Sequence, residues 1–481
     1  MNLRSIRSLF LTAVLLSFLS ACASNPVTGS WDLAMPRSWD ANAGAEYHQE
    51  ILKQYQVYND PELQAYVDDI GQRLAAKSDW PELEYTFTLL DSPEVNAFAL
   101  PGGFIYVTRG IMSYMNKESH LAGVIGHEIG HVTARHGAQR AMQQQVAGVA
   151  SIGVALVTGS AELAQASQVL GGALMSGYGR SQELQSDRLG AEYIAKNNYD
   201  VDEMLGVIGI LKNQELYAAQ KAKDEGREQQ AYHSLFSTHP ENDTRLKEVV
   251  KAAEKFRDIT EPVPDDGRFL RMTDGMVFGE SPSQGITRAN KFYHRDLDLF
   301  VEFPSDWRIV NQPTQLFAIS PGNDQAISMV MDSTQKASSP DRYLNSEFQS
   351  FRNGQNVITS FGNAHAGIAT VSDESSGQQQ NVRVSALYRG DQALILTGLG
   401  NTPPSSSMFL DVVKNIRGLN SNERTLASGS NIELVTAQRG DTFAKLAQQS
   451  GLDDAEAQIR LINDMYPSGE PTPGQLIKVI K

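Results

Sequence analysis

The stretch LAGVIGHEIGHVTARH, residues 121–136, contains the pattern His-Glu-x-x-His at His127, Glu128 and His131. On a helix, residues four positions apart lie on the same face, so both imidazoles can approach one metal ion with the carboxylate beside them. The glycines before and between the histidines permit close contact with a second backbone. The stretch therefore predicts a buried helix that carries two zinc ligands and a base. The alternative is a helix with two surface histidines.

A third zinc ligand has to come from another part of the chain. A related zinc pattern places a third histidine six residues after His131, but Gly137 occupies that position, so we expect His136 beside the ligands or on the surface. Glu183 and Asp187 lie four residues apart in a later helical stretch and can share one face. A glutamate ligand with a neighbouring carboxylate that orients an imidazole suits zinc. A solvated acidic face is the alternative.

Residues 96–107 predict two short strands around a Pro-Gly-Gly turn. An edge strand beside a zinc site can bind an extended peptide through its free backbone groups. We therefore expect the first strand to bind substrate, although an ordinary hairpin is the alternative. The residues of this candidate substrate strand are Asn96, Ala97, Phe98 and Ala99.

The N-terminus predicts export and a lipid anchor. Two arginines precede an apolar run at 9–19, which is too short for a permanent membrane span and typical of a signal peptide over residues 1–21. The residues Leu-Ser-Ala before Cys22 resemble a bacterial lipobox, and the Ala-Ser pair after it resembles lipoproteins sorted to the outer membrane. We expect lipidation of Cys22 and a tether at 22–43. A plain signal peptide is the alternative.

Composition and patterning predict a multidomain α+β protein. The net charge of -15 disfavours nucleic acid as a partner, and 41% hydrophobic residues is ordinary for a globular chain. The patterns predict a protease domain with a small sheet, a further α+β domain with an antiparallel sheet, and a small C-terminal module. Their bounds are 44–260 for the protease domain, 268–420 for the α+β domain, 421–431 for a linker and 432–481 for the module.

Four blocks of the sequence resemble the M48 family of zinc metalloproteases, in particular a secreted bacterial branch that acts in outer-membrane protein quality control. The resemblance implies a mainly helical zincin-type, gluzincin-like protease domain. The blocks are residues 96–107, the His-Glu-x-x-His stretch, Glu183 to Asp187, and Ser237-Thr238-His239-Pro240 with Arg245.

The resemblance assigns roles to five of these residues. His127, His131 and Glu183 would hold one Zn2+, and Glu128 would activate the attacking water. Asp187 would lie outside the ligand set and support it. Peptide hydrolysis with a zinc-polarised water is the reaction that this set implies.

The resemblance gives roles to two residues of the fourth block. His239 would close the metal site at rest or stabilise the oxyanion, and Arg245 would hold a carboxylate near the site. A structural or surface histidine and a surface salt bridge are the alternatives.

The uncharged run at 141–161 lies between the second and third blocks and predicts a mobile helical hairpin over the site. A membrane span is the alternative.

Residues 432–481 resemble a LysM module, a strand-helix-helix-strand unit that commonly binds N-acetylglucosamine polymers such as peptidoglycan. The insertion at 466–471 departs from that pattern. A small interaction or capping domain is the alternative.

These features together predict a periplasmic, outer-membrane-tethered zinc endopeptidase that degrades misfolded or stalled outer-membrane proteins. Expected partners are unfolded substrates, the outer-membrane assembly machinery and peptidoglycan. A chaperone or scaffold with a latched zinc site is the main alternative, and a cell-wall hydrolase is a third. Glu128 favours the enzyme, because a purely structural zinc site needs no base.

Overall fold

The computed structural model describes residues 22–143, 178–224, 249, 251, 255, 262, 264–348, 350–372, 379–400, 403–452 and 454–481. Residues 1–21, the hairpin segment at 145–175, His239 and Arg245 lie outside them. The chain forms two compact units, Met1–Met276 with Asn431–Lys481, and Val277–Ser430. Helices and sheets occur in both units, which confirms the α+β class.

The N-terminal part of the first unit surrounds a small sheet with helices. Its described elements are β1 (Cys22–Ser24), β2 (Trp31–Leu33), α1 (Arg37–Gln54), α2 (Pro61–Ala75), β3 (Thr86–Leu90), β4 (Ala97–Leu100), β5 (Phe104–Thr108), α3 (Arg109–Tyr114), α4 (Glu118–Thr133), α5 (Arg180–Lys196), α6 (Glu203–Asp224) and α7 (Arg268–Thr273).

The second unit is mainly a large antiparallel sheet. Its described elements are β6 (Val277–Phe278), β7 (Ile286–Arg288), β8 (Lys291–His294), β9 (Leu299–Glu302), β10 (Arg308–Asn311), β11 (Gln315–Ile319), β12 (Gln325–Ser333), α8 (Pro340–Glu347), β13 (Arg352–Thr359), β14 (Gly362–Ser372), β15 (Gln379–Arg389), β16 (Gln392–Gly400), α9 (Ser406–Lys414) and α10 (Ser421–Leu426).

The C-terminal elements return to the first unit. Strand β17 pairs antiparallel with β18, and two short helices lie between them in the chain, in the strand-helix-helix-strand order that the sequence predicts. Their bounds are β17 (Ser430–Thr436), α11 (Phe443–Ala447), α12 (Ala455–Ile462) and β18 (Leu476–Ile480).

Local signals set the first helices and the small sheet. The Asp60 side chain accepts a hydrogen bond from the Leu63 amide at 3.0 Å, and Pro61 begins α2, as expected of a cap followed by proline. In the sheet order β3-β5-β4, β3 is parallel and β4 antiparallel to β5. Gly102 and Gly103 have positive φ angles of 81° and 91° in the tight connection between β4 and β5, so the Pro-Gly-Gly prediction is confirmed.

The segment predicted as a tether at 22–43 differs from that prediction. Strand β1 pairs with β2, and α1 already begins at Arg37. The side-chain amide of Asn25 donates to the Ala134 carbonyl at 3.3 Å. Asp40 pairs with Arg135, whose Nε lies 3.1 Å from the Asp40 carboxylate. Both charged groups are buried, and buried charges require such a partner. The segment therefore belongs to the folded unit.

The second unit places a helix on each face of its sheet, whose order is β10-β11-β12-β16-β15-β14-β13. Leu394 and Leu396 of β16 belong to the same core as Phe409 of α9, whereas Ile395 belongs to the same core as Leu344 of α8. This alternation is the period of two of a strand covered on both sides. The antiparallel sheet agrees with the sequence-based expectation.

The predicted linker at 421–431 contains a helix instead. The Asn420 side chain accepts from the Glu423 amide at 3.0 Å, and the Glu423 carboxylate accepts from the Asn420 amide at 2.9 Å. This reciprocal capping box starts α10. Among the described residues, no helix has the length and apolar character needed to cross a bilayer.

Candidate metal centre

The three predicted zinc ligands converge from two helices. His127 and His131 of α4 present their Nε2 atoms 3.0 Å apart, and the two carboxylate oxygens of Glu183 of α5 lie 3.4 Å from His131 Nε2 and 3.6 Å from His127 Nε2. One donor atom from each residue falls within 4.8 Å of the others, and all three side chains are buried. Two imidazoles and one carboxylate are a donor set of catalytic zinc sites, so these residues fit that metal.

Glycines explain how α4 and α5 approach closely enough to share the site. A methyl group on Gly190 would lie 2.9 Å from the backbone nitrogen of His127, and one on Gly130 would lie 3.1 Å from the Cα of Ser186. Both positions are too tight for a larger residue without backbone movement. The small residues that the sequence places around the histidines therefore set the distance between the two ligand-bearing helices.

Asp187 lies beside the first imidazole. Its carboxylate lies 2.9 Å from Nδ1 of His127, and its side chain is buried. A proton on Nδ1 leaves Nε2, the atom that faces Glu183, with a lone pair for a metal. The structure thus places Asp187 where the sequence-based expectation puts it, one helical turn beyond Glu183.

His136 orients the second imidazole. Its Nδ1 lies 3.0 Å from Nδ1 of His131, and its Nε2 lies 3.2 Å from the side-chain oxygen of Gln185. Burial lowers the pKa of His136 to about 4, so its ring is neutral near pH 7. A neutral ring that donates from Nε2 to Gln185 can accept at Nδ1 from His131, which again leaves Nε2 of His131 for a metal. Residue His136 is therefore a buried support for a ligand.

Tyr178 is a site residue that no sequence pattern indicates. Its ring stacks on His131 with 3.8 Å between centroids, and the Arg140 guanidinium lies 4.2 Å from the centre of the Tyr178 ring. Burial raises the pKa of the Tyr178 phenol, and the nearby Glu128 carboxylate raises it further. Glu128 itself is buried on α4 next to His127. The site thus places an aromatic ring and a carboxylate beside the ligands.

The predicted substrate strand lies beside these ligands. Ala99 and Leu100 of β4 line a cleft together with His131 and Tyr178. The Thr108 amide donates to the Asn96 carbonyl at 3.1 Å, and bonded pairs alternate along an antiparallel ladder, so the backbone groups of Ala97 and Ala99 point away from β5. Ala97 is fully buried, whereas Ala99 borders the cleft.

Asn96 is not part of the substrate strand that the sequence predicts, because β4 begins at Ala97. Asn96 is buried, and its backbone amide donates to Thr108 Oγ1 at 3.2 Å. Phe98 packs its ring against Tyr106 of β5 at 4.7 Å. His239 and Arg245 lie outside the part of the chain that the structure describes, so the geometry of the site does not include them.

The chain is similar to a known peptidase family and to several known proteins. Residues 61–253 match the model of Peptidase family M48. The beta-barrel assembly-enhancing protease of Escherichia coli (strain K12) is 28% identical over 233 residues, 46% of this chain and 45% of that protein. The protein of the same name from Yersinia pestis is 29% identical over 242 residues, 48% of this chain and 47% of that protein.

A eukaryotic protein is also similar to this chain. The mitochondrial metalloendopeptidase OMA1 of Schizosaccharomyces pombe is 27% identical over 177 residues, 37% of this chain and 50% of that protein. The chain spans about half the length of these relatives. The three converging ligands all lie within residues 61–253, the part of the chain that matches peptidase family M48.

Proposed function

We propose that this protein is a zinc-dependent endopeptidase of the bacterial envelope that acts on misfolded or stalled outer-membrane proteins. The observation that carries the proposal is the buried Glu128 beside the donor set of His127, His131 and Glu183, next to β4, an edge strand among the described residues. The names of the bacterial relatives, beta-barrel assembly-enhancing proteases, support the substrate class.

The chain's own residues account for binding and proton transfer. An extended substrate adds to the edge of β4 and bonds to the outward backbone groups of Ala99, which brings its scissile carbonyl beside the ligands. Bound zinc supplies a Lewis acid that polarises this carbonyl and lowers the pKa of water. Glu128 takes a proton from the attacking water and gives it to the leaving amine. Asp187 and His136 hold the ligand imidazoles in one tautomer throughout.

The fourth block adds a proposal about the resting enzyme. We assign His239 a position close to the metal, where its imidazole closes the site or stabilises the oxyanion, and we assign Arg245 to a carboxylate near the site. Both assignments rest on the resemblance of the Ser-Thr-His-Pro block to the M48 pattern.

Location and partners follow from the two ends of the chain. A signal peptide and a lipidated Cys22 place the protein in the periplasm at the outer membrane, close to the machinery that assembles barrel proteins. Residues 432–481 bind peptidoglycan if their resemblance to LysM modules extends to function. Incorporation of labelled fatty acid into wild type but not into Cys22→Ala tests the anchor.

The second candidate is a chaperone or scaffold with a latched metal site. The specific observation in its favour is the Tyr178 ring, which lies on the ligand His131 within the cleft that a substrate would enter. In this alternative the protein binds unfolded chains without cleaving them.

The decisive experiment compares wild type with Glu128→Gln, using casein cleavage and bound zinc as measurements. General-base catalysis contributes about 10²–10⁴-fold, so we expect the variant to keep its zinc and lose cleavage by that factor. Glu192→Gln, a partly exposed acid paired with Lys196 on α5, is the matched control and should cleave normally. Equal cleavage by wild type and Glu128→Gln would exclude Glu128 as the base, and binding of casein without cleavage by wild type would favour the scaffold.

A further inference from the structure

We propose that the C-terminal segment, residues 431–481, positions the metal-binding helix α4, with Lys478 as the main positioning residue. The inference rests on the proposed metal site. The segment lies outside the matched family range of 61–253, yet it belongs to the same compact unit as the metal ligands. The segment contacts two elements next to the first half of α4. These are α3, which precedes α4 in the chain, and α6, which packs on α4.

Lys478 of β18 is bound to the end of α3. Its side chain has 0% exposure, and its ammonium nitrogen donates to the carbonyl oxygens of Ser113 and Met115 at 2.6 Å each. Carbonyls at the C-terminal end of a helix lack intrahelical partners, so a donor has to reach them when they are buried. Burial of a lysine is costly without such bonds, so this contact is a specific one. It lies at the C-terminal end of α3, and Met115 is three positions before Glu118, where α4 begins.

The strand that carries Lys478 is itself locked to α12. The Asn463 side chain accepts from the Lys478 amide at 2.9 Å and donates to the Lys478 carbonyl at 2.8 Å. Asn463 directly follows α12. Within α12, the Gln458 side-chain oxygen accepts from the Tyr114 hydroxyl at 3.1 Å, and Tyr114 is the last residue of α3. Two separate contacts therefore hold the junction between α3 and α4.

The segment also binds α6. The Asp454 carboxylate accepts from Lys221 at 2.9 Å and from the Tyr217 hydroxyl, and Asn213 donates to Asp464 at 3.1 Å. These contacts lie along the second half of α6, whose first half packs on α4. Helix α6 is therefore the second connection between the segment and the metal-binding helix.

The packing of α6 against α4 is close. A methyl group on Gly123 of α4 would lie 2.9 Å from the sulfur of Met204, and His120 Nε2 of α4 lies 3.0 Å from the Glu203 carboxylate. A shift of α6 would thus be transmitted to α4 through side chains that have no spare space.

Geometry explains why the metal should respond. Two ligands are on α4 and the third is on α5, so zinc affinity depends on the position of α4 relative to α5. The supporting residues of a metal site have to hold its ligand atoms within about 0.5 Å of the binding geometry. Loss of the Lys478 bonds frees the start of α4 and leaves two buried carbonyls without a donor. The expected result is weaker zinc binding although every ligand is present.

The test uses the full-length protein with Lys478→Met, which keeps the length of the side chain and removes its donors. We expect the zinc dissociation constant, measured by chelator competition, to rise about 10-fold or more, as for loss of a supporting residue of a metal site. We also expect faster amide exchange over residues 113–131 and a lower kcat with KM nearly unchanged. Lys481→Met, which removes an exposed ion pair with Glu433, is the matched control and should match wild type.

Tyr114→Phe is the second variant, because Lys478→Met could fail to fold. It removes the hydroxyl that donates to Gln458 and should weaken zinc binding in the same direction by a smaller factor. Wild-type zinc affinity and amide exchange in the folded variants would overturn the inference, even if their unfolding temperatures fell. Zinc affinity does not depend on peptidase activity, so failure of the proposed function would be recognised separately.

Discussion

At the scale of single residues, the two histidine ligands are oriented in different ways. Nδ1 of His127 lies 2.9 Å from the carboxylate of Asp187, whereas Nδ1 of His131 lies 3.0 Å from the neutral ring of His136. An anionic acceptor makes the imidazole a stronger electron donor than a neutral acceptor does. His127 should therefore depend more on its support than His131 does.

The first prediction concerns this support. Asp187→Ala should weaken zinc binding by about 10–100-fold, because His127 loses the acceptor that sets its tautomer. Asp187→Asn should lose less, since its amide oxygen can still accept from Nδ1. Zinc affinity is measured by chelator competition, with Glu192→Ala on the same helix as control. Similar affinities in Asp187→Ala and the control would contradict the assigned role.

Residue identities were predictable to the extent that chemistry follows a periodic spacing. Glu183 and Asp187 could be found because four residues make one helical turn and few acids lie in that part of the chain. Tyr178 could not be found, because its contact with His131 depends on chain folding between distant positions. The buried position of His136 is a similar case, since it depends on Gln185 of another helix.

At the scale of elements, the crossing of α4 and α5 determines the site. The backbones meet where Gly190 faces Gly126 and His127, with no room for a side chain. By contrast, a methyl group on Gly209 of α6 would meet no atom within 4 Å. These two helical glycines differ in surroundings and share the same intrinsic helix propensity.

The second prediction uses this matched pair. Gly190→Ala should lower the free energy of unfolding by about 1–3 kcal/mol and weaken zinc binding, because the methyl group pushes α5 away from His127. Gly209→Ala should raise the free energy of unfolding by up to about 1 kcal/mol, since alanine favours a helix. Thermal unfolding and chelator competition measure both. Stabilisation by Gly190→Ala would show that the helices can separate without cost.

Elements with strong local signals were predictable and those defined by pairing were not. Helix α2 has its cap and proline, and β15 and β16 have runs of apolar residues. Strands β13 and β14 were not predicted. Most of β13 is exposed because it is the edge of its sheet, and β14 is rich in glycine and alanine. Neither pattern distinguishes a strand from a polar loop.

At the scale of the whole molecule, the chain returns to its first unit after completing the second. Sequence patterns predicted the strand-helix-helix-strand order of residues 432–481 but not their place in the fold. That place depends on contacts such as Lys478 with Ser113, which are more than 360 residues apart in the chain. No local pattern carries information about such a pairing.

The third prediction follows from the two units. Calorimetry of the zinc-loaded chain should give two transitions, and chelation should lower the temperature of the transition that contains the metal ligands. At free zinc about 100 times the dissociation constant, the expected loss is about 2.7 kcal/mol of stability. The transition of Val277–Ser430 is the internal control. A parallel shift of both transitions would contradict the division into units.

The attachment of the N-terminal segment limits how far the cleft can lie from a membrane. Asn25 is bonded to Ala134, and Asp40 and Arg135 both line the cleft beside His131. Asn25 is three positions after Cys22, which is about 11 Å of extended chain at most. With Cys22 lipidated, as proposed, only a short tether joins the lipid anchor to the folded unit. The active site then lies close to the lipid headgroups. Chains that emerge at the bilayer surface are then within its reach, and chains free in the periplasm have to come to it.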